Sequence, residues 1–419
     1  MIKIKIKYSK KAVKSQSSAQ VVASIDDLLV EILLRLPIKS LIRFKLVSKH
    51  WHSLITNPRF CILRNPNPNP AIGLYLPSSY RRTYPWFEYI PFSLKQPSNP
   101  PFKELKLTKE PSGLKIWQSC NGLFLCRTSH VRDCNRRYYI YNPTTKKFSK
   151  LPKLCRGGYG VSARIHGISL AFDPAKSPHY KVLCTWGWEL DSGDYQYQFE
   201  VYSSNMGPWR KCGEPFQALV NFEDGVYWNG AIHWINDTRR REYFLYFETR
   251  DFLYFNLDDH HIPQIMPSPS IPIPDRWDWR SNWFFGESCD HLHYIEIFGP
   301  NIQFDVYEMK RDYSKWFVKY KVDLSPVFVA CIPDMIWDNF NPMDWTYYGY
   351  SISTLARGHK EEDSFLIFQI PRMVIRYNLV YKTFEIACEF ESVPESQGGD
   401  RVPFPNVKGF QYIESLCCV

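Results

Sequence analysis

"YYIYNPTTKKFSKLP", Tyr138–Pro152, reads as a strand, a polar turn and a second strand entered by an aromatic. Tyr138 to Tyr141 are strand formers, Asn142-Pro143-Thr144-Thr145 is turn chemistry, and Phe148 re-enters an apolar run. The pattern recurs in "FEVYSSNMGPWRKC" (Phe199–Cys212), "YFLYFETRDFLYFNL" (Tyr243–Leu257), "FDVYEMKRDYSKWFVKY" (Phe304–Tyr320) and "IRYNLVYKTFEIACEF" (Ile375–Phe390). Roughly 50–70 residues separate successive units, close to a four-stranded propeller blade with lengthened loops. Between the hairpins lie inner-strand candidates: "SCNGLFLC" (Ser119–Cys126), "GISLAFDP" (Gly167–Pro174), "GVYWNGAIHWI" (Gly225–Ile235) and "GESCDHLHYIEI" (Gly286–Ile297). Each has glycine near its start, as expected where strands crowd a central axis. "AIGLYLPSSYRRTYPWFEYIPFSL" (Ala71–Leu94) offers a sixth unit, closed by the C-terminal strand. A propeller-like β domain of about five to seven repeats is expected. The aromatic share of 16% and the 31 prolines suit strands and turns more than helices.

Upstream of Ala71 the pattern changes. "NPNPNP", Asn65–Pro70, has φ fixed at every second residue, which makes a stiff extended spacer. Before it the apolar residues fall at helical spacing. Ser24 and Asp27 form a capping-box-like start, and Leu28, Leu29, Ile32, Leu33 and Leu36 make one stripe ended by Pro37. Ser40 can cap a second helix carrying Leu41, Phe44 and Val47; a third, after Ser48, carries Trp51, Leu54 and Ile55 and stops at Asn57-Pro58. Three helices in about 35 residues cannot bury that much apolar surface alone, so a partner is expected. The chain divides into a basic disordered tail (1–23), an α-helical unit (24–64), a Pro-rich linker (65–70) and the β domain (71–419), an α+β multidomain protein.

The net charge of +10 is confined to residues 1–64, which hold 13 Lys and Arg against 3 Asp and Glu; the remainder is balanced. A localised basic segment also suits nucleic acid, the alternative reading of the N-terminal 64 residues. It ranks second, because six of those basic residues stand in the first 14 positions and the others decorate helices whose apolar stripe demands burial.

"DDLLVEILLRLPIKSLIRFKLVSKHWHSLITNPRF" (Asp26–Phe60) resembles the F-box of plant F-box proteins. "SCNGLFLC", Tyr138–Pro152, "LAFDPAKSPHYKVLC" (Leu170–Cys184), "GVYWNGAIHWI" and "FQYIESL" (Phe410–Leu416) resemble the Kelch-like F-box-associated domain of the same proteins. The resemblance implies a substrate receptor of an SCF-type ubiquitin ligase. Its F-box would dock a Skp-family adaptor, and through it a cullin scaffold, while the β domain holds a target protein for ubiquitination. Carried over by position, Leu28, Ile32, Leu33, Leu36, Pro37, Leu41, Phe44, Val47 and Trp51 are the docking and packing residues. The family usually opens with Leu-Pro where this chain has Ser24-Ile25, and commonly has Cys where it has Ser48. The lost proline removes a preset φ at the helix start, and weaker adaptor binding is expected from it.

Catalytic chemistry is not indicated. The adjacent acids Asp26-Asp27, Asp258-Asp259 and Glu361-Glu362 read as solvated surface. His291 and His293 share a strand face without a third ligand, so no metal is expected. "GYGVSA" (Gly158–Ala163) lacks the strand and helix that a dinucleotide loop needs, and no cofactor motif stands out. The 12 cysteines hold no CxxC pair and read as reduced thiols. "RWDWRSNWFF" (Arg276–Phe285) places Trp277, Trp279 and Trp283 beside Arg280; it reads as core first, or as a target-binding patch. The chain has no apolar run long enough to span a membrane, and its start lacks a signal-peptide core, so a soluble protein of cytoplasm and/or nucleus is expected.

Overall fold

The computed structural model describes residues 22, 25–64, 70–77, 85–93, 100–106, 110, 112–129, 136–154, 163–236, 252–259, 262–271, 281–298, 301–332, 350–370, 372–390, 408–417 and 419. The basic tail (save residue 22), residues 65–69 of the spacer and "GYGVSA" up to Ser162 lie outside these.

Among residues 25–64, four helices come first. α1 is Asp26–Leu34, and its N-cap is Ile25, which makes no side-chain cap. The expected capping box is therefore out of register: Ser24 lies outside the described residues, and Asp27 is the second helical residue rather than the third, where a capping-box partner stands. α2 spans Ile38–Phe44 with Pro37 at the N-cap. Ser40 is thus inside the helix and not its cap, because Pro37, at φ −58°, already sets the entry. α3 is Lys49–Thr56, and its cap is Ser48, whose Oγ accepts from Trp51 N–H at 3.1 Å. A fourth helix, α4 (Pro58–Arg64), was not expected. Pro58 ends α3 but occupies the first position of α4, where its missing N–H costs nothing, and Asn57 Oδ1 accepts from Arg59 N–H.

The β domain is a six-bladed propeller. β1 (Gly73–Pro77) and β2 (Phe87–Pro91) are followed by five complete four-stranded blades. Blade one runs β3 (Leu114–Cys120), β4 (Leu123–Thr128), β5 (Tyr138–Asn142), β6 (Lys147–Lys150). Blade two runs β7 (Arg164–Ala171), β8 (Lys181–Glu189), β9 (Tyr195–Ser203), β10 (Gly207–Phe216). Blade three runs β11 (Val226–Trp228), β12 (Ala231–Ile235), β13 (Phe252–Asn256), β14 (Gln264–Met266). Blade four runs β15 (Ser281–Ser288), β16 (His291–Phe298), β17 (Gln303–Met309), β18 (Trp316–Asp323). After the short helix α5 (Ser325–Cys331), blade five runs β19 (Ser351–Ala356), β20 (Phe365–Ile370), β21 (Met373–Asn378), β22 (Phe384–Glu389). The last strand, β23 (Phe410–Tyr412), pairs with β1 and completes blade six in the order β2-β1-β23. The bond from Phe87 N–H to Lys103 O and the bridge Trp86–Glu104 partly fill its fourth position.

Four of the five hairpins read from sequence are the outer pairs β5–β6, β9–β10, β17–β18 and β21–β22. The third is corrected. Its second half is β13, but β13 pairs with β14 across residues 257–263, not with residues 243–247. The glycine reading splits in two. Gly167 and Gly225 mark close approach: a Cβ would fall 2.0 Å from Phe222 O and 2.3 Å from Ser169 Oγ respectively. Gly122 and Gly230 are turn residues, each with its preceding Asn at positive φ, as a two-residue type I′ hairpin requires.

Core clusters straddle the blades, and aromatic pairs carry the seams. Phe199 stacks on Trp234 at 5.5 Å between blades two and three. Phe252 meets Tyr294 edge-on at 5.2 Å between three and four, and Tyr75 meets Phe124 at 5.8 Å between six and one. The inner-strand ends carrying the tight turns share one face, tied by Asn121 Nδ2 to Phe172 O (2.8 Å), Trp228 Nε1 to Asp290 O (2.8 Å) and Arg357 N–H to Ser288 Oγ (2.9 Å). Longer connections, including 236–251, 267–280 and 390–409, leave from the opposite ends of the strands.

Candidate functional site

The nine residues expected to dock or pack divide by exposure. Leu33 and Leu41 are fully buried and form the helical core with Leu29, Ile38, Ile55 and Phe60. Leu36, Phe44 and Trp51 are half-buried against that core, with the Phe44 and Trp51 rings edge-on at 5.2 Å. Pro37 is exposed at the α1–α2 junction. Leu28, Ile32 and Val47 are exposed, at 47%, 48% and 60%. Ile25, Leu28 and Ile32 follow one another at helical spacing on the flank of α1 next to the buried Leu29–Leu33 flank. Leu46, in the turn after α2, is 87% exposed. The exposed large apolar residues of the helical unit are therefore Ile25, Leu28, Ile32, Leu46 and Val47, with Leu63 on α4. Ile25 extends the Leu28–Ile32 flank by one turn, whereas Leu46, in the turn after α2, belongs to no repeating stripe.

Charges flank this set. His50 Nε2 lies 3.1 Å from Asp26 and Arg35 3.8 Å from Glu31. Arg64 donates to Leu34 O at 2.5 Å; burial lowers its pKa, against the pull of Glu414.

On the face with the longer connections, a groove of about 800 Å³ lies between blades two and three. Tyr195, Tyr197 and His166 line one wall, Leu219 and Val220 another, with Arg164, Glu189 and Asp194 beside them. Gly187 makes room for it, because a Cβ there would meet the His166 ring at 2.5 Å. Of the tryptophan–arginine patch, only Trp283 is described. It is half-buried against the seam of blades three and four. Trp277, Trp279 and Arg280 lie outside the described residues.

A pocket of about 60 Å³ is lined by Gln118, Asn121, Tyr227, Glu287, Lys408 and Gln411, room for a water or two. Burial pushes the Glu287 carboxyl up to about 7 and the Lys408 amine down.

His291 and His293 do share a strand face, and both turn to Glu308. His291 Nδ1 is 2.9 Å from Glu308 Oε1, and His293 Nε2 is 3.4 Å from Oε2, a contact rather than a full hydrogen bond. Arg357 donates to the same carboxylate at 2.6 Å. Burial alone would raise Glu308; the two imidazoles outweigh it and hold the carboxyl well below its usual range. Burial lowers the His293 pKa, against the pull of Glu308. A guanidinium on the shared carboxylate makes this an ion-pair cluster joining blades four and five. No grouping of three or more metal-ligating side chains occurs among the described residues.

Residues 26–63 match the F-box domain model, and residues 80–256 match the model of the F-box associated beta propeller domain. F-box protein At5g07610 of Arabidopsis thaliana is 36% identical over 97% of this chain and 94% of its own length. The Arabidopsis putative F-box protein At1g32420 is 31% identical over 50% of this chain and 65% of its own, and F-box only protein 8 is 26% identical over 50% and 70%. With four F-box helices ahead of six blades, the chain belongs to the F-box proteins that carry an F-box-associated β-propeller.

Proposed function

We propose that this protein is a non-catalytic substrate receptor of an SCF-type ubiquitin ligase. The F-box docks a Skp-family adaptor, which links it to a cullin scaffold, and the propeller presents a target protein for ubiquitination. The observation that carries the docking is the set Ile25, Leu28, Ile32, Leu46 and Val47, large apolar side chains left exposed outside a core that the helices and Leu416 already close. The groove between blades two and three, on the face of the longer connections, is the candidate surface for the target; its aromatic and charged lining has the composition of a binding anchor.

Ile32→Asp tests this directly. Ile32 is half-exposed, so the variant should melt close to wild type. In an adaptor complex the new carboxylate would be buried unpaired, which costs about 3 kcal/mol or more, on the order of a hundredfold in affinity. Titration of a purified Skp-family adaptor reads it out. Adaptor binding by Ile32→Asp and Leu28→Asp equal to wild type would sink the proposal, as would a wild-type chain that does not bind.

A further inference from the structure

We propose that the C-terminal segment Ile413–Cys417 is a strap that locks the F-box onto blade one and fixes its orientation relative to the propeller. The segment continues directly from β23, so the strand that closes the ring also leads to the F-box. It alternates like an extended strand between two surfaces. Glu414 and Leu416 face the F-box. Glu414 lies 3.9 Å from Lys39 of α2 and attracts the Arg64 guanidinium at the end of α4. Leu416 is 2% exposed inside the F-box core, packed with Leu29, Leu33 and Phe60.

Ser415 and Cys417 face the propeller. Ser415 N–H donates to Thr144 Oγ1 at 3.1 Å, in the turn between β5 and β6. Asn142 Nδ2 donates to both Ser415 O (3.1 Å) and Cys417 O (2.8 Å). The Cys417 side chain is buried in the seam of blades one and two, and its Sγ donates to Pro178 O. Gly122 of the β3–β4 turn is built for this approach: φ is +93°, and a Cβ would sit 2.6 Å from Ser415 Cβ. Asn142 therefore does two jobs, since its Oδ1 caps the turn through Thr144 and Thr145 N–H while its Nδ2 holds the strap.

The consequence is geometric. Residues 65–70 join the F-box to the propeller once; the strap joins them a second time, from the other end of the chain. Two attachments remove the swing that one would allow. The lock itself does not depend on what the exposed F-box band binds.

The test uses the full chain with spin labels introduced genetically at Ser53, exposed on α3, and Ser192, exposed in the β8–β9 turn. Pulsed dipolar measurements give the distance distribution. Two variants cut opposite ends of the strap. Leu416→Asp expels the strap from the F-box, whereas Cys417→Asp expels it from the blade and leaves Leu416 to fill the F-box core. A narrow distribution is expected for wild type, and at least a doubling of its width for each variant. In Cys417→Asp the F-box should still melt as in wild type and adaptor binding should be unchanged, which separates this result from failure of the docking proposal. A wild-type distribution already as broad as the variants, or a narrow one retained in Cys417→Asp, would overturn the strap. In the latter case Leu416 is only a filler of the helical core.

Discussion

At the scale of single residues, packing and protonation are coupled most tightly at His233. Its ring is fully buried in blade three, where Nδ1–H donates to Val226 O at 3.1 Å and Nε2 accepts from Tyr313 O–H at 3.0 Å. The rings of Tyr254 and Tyr313 flank it, each 5.7 Å away. Desolvation, against the two backbone contacts that favour the cation, lowers its pKa from 6.5 to about 3. The unfolded chain then takes up a proton near pH 6.5 that the folded chain refuses until about pH 3. Stability from this group is complete above pH 6.5 and falls as pH drops through that window. Between pH 7 and pH 5 the loss should be about 2 kcal/mol. Urea midpoints at pH 7.5 and 5 should show a clear decline in wild type and a shallower one in His233→Gln, which starts less stable; parallel declines would refute the assignment. Sequence carried some residues this far and not others. Ser40 was read as a cap and Ser48 was not, because a local oxygen is found before and inside helices alike and only the turn geometry decides which one caps. Leu28 and Leu29 were not separable, since both lie on one apolar stripe and the inward flank is chosen by α3, α4 and the distant Leu416.

At the scale of elements, alternation identified strands well and their partners less well. The β5–β6, β9–β10, β17–β18 and β21–β22 hairpins were readable because each has its own turn chemistry between two alternating runs. Residues 243–247 and 252–256 carry nearly the same aromatic alternation, so pattern alone paired them with each other. The true outer partner, β14, is a three-residue strand with almost no signature. Pro58 was read as a stop because proline both ends and begins helices, and only the residues after it decide. The strands pack tightly where they meet. Gly167 of β7 lies under the short helical turn Phe222–Asp224 that leads to β11, and a Cβ there would fall 2.0 Å from the Phe222 carbonyl oxygen. Backbone cannot rotate away as a side chain can, so Gly167→Ala should cost about 1–3 kcal/mol, the range for overpacking. Gly193→Ala is the control. It has φ of +87° and nothing within 4 Å of the new Cβ, so only the left-handed backbone penalty of about 1 kcal/mol applies. Equal urea midpoints for the two variants would show that the seam of blades two and three tolerates more than its geometry implies.

At the scale of the whole molecule, the propeller is a ring whose closure depends on three residues near its end. The sixth unit and its closing strand were legible as a possibility in Ala71–Leu94 and the C-terminal strand. That this strand stands innermost was not, since position within a blade is set by contacts more than 300 residues apart. β23 lies between two inner strands: Gly409 N–H donates to Ser353 O (2.9 Å) and Gln411 Nε2 to Leu355 O (3.0 Å) on the β19 side, while the chain just beyond it covers Gly122 on the β3 side. Without it, β1 and β2 are a lone hairpin, which is marginal in water, and β1 presents an open edge that invites pairing with another chain. The blades share their cores across seams, so a gap in one seam exposes apolar surface on both neighbours. Ending the chain at residue 407 should therefore abolish the cooperative thermal transition and drive association. Ending it at residue 415 removes Leu416 from the F-box core and Cys417 from the seam of blades one and two but leaves β23 in place, so the propeller should still melt cooperatively as a monomer, at a modestly lower temperature, while the F-box loosens. Calorimetry with size-exclusion chromatography separates the two outcomes, and a synthetic peptide covering 405–419 should restore the monomer to the shorter chain. A monomeric, cooperatively melting chain that ends at residue 407 would mean that the other five blades hold the ring unaided, and that β23 serves only to deliver the strap to the F-box.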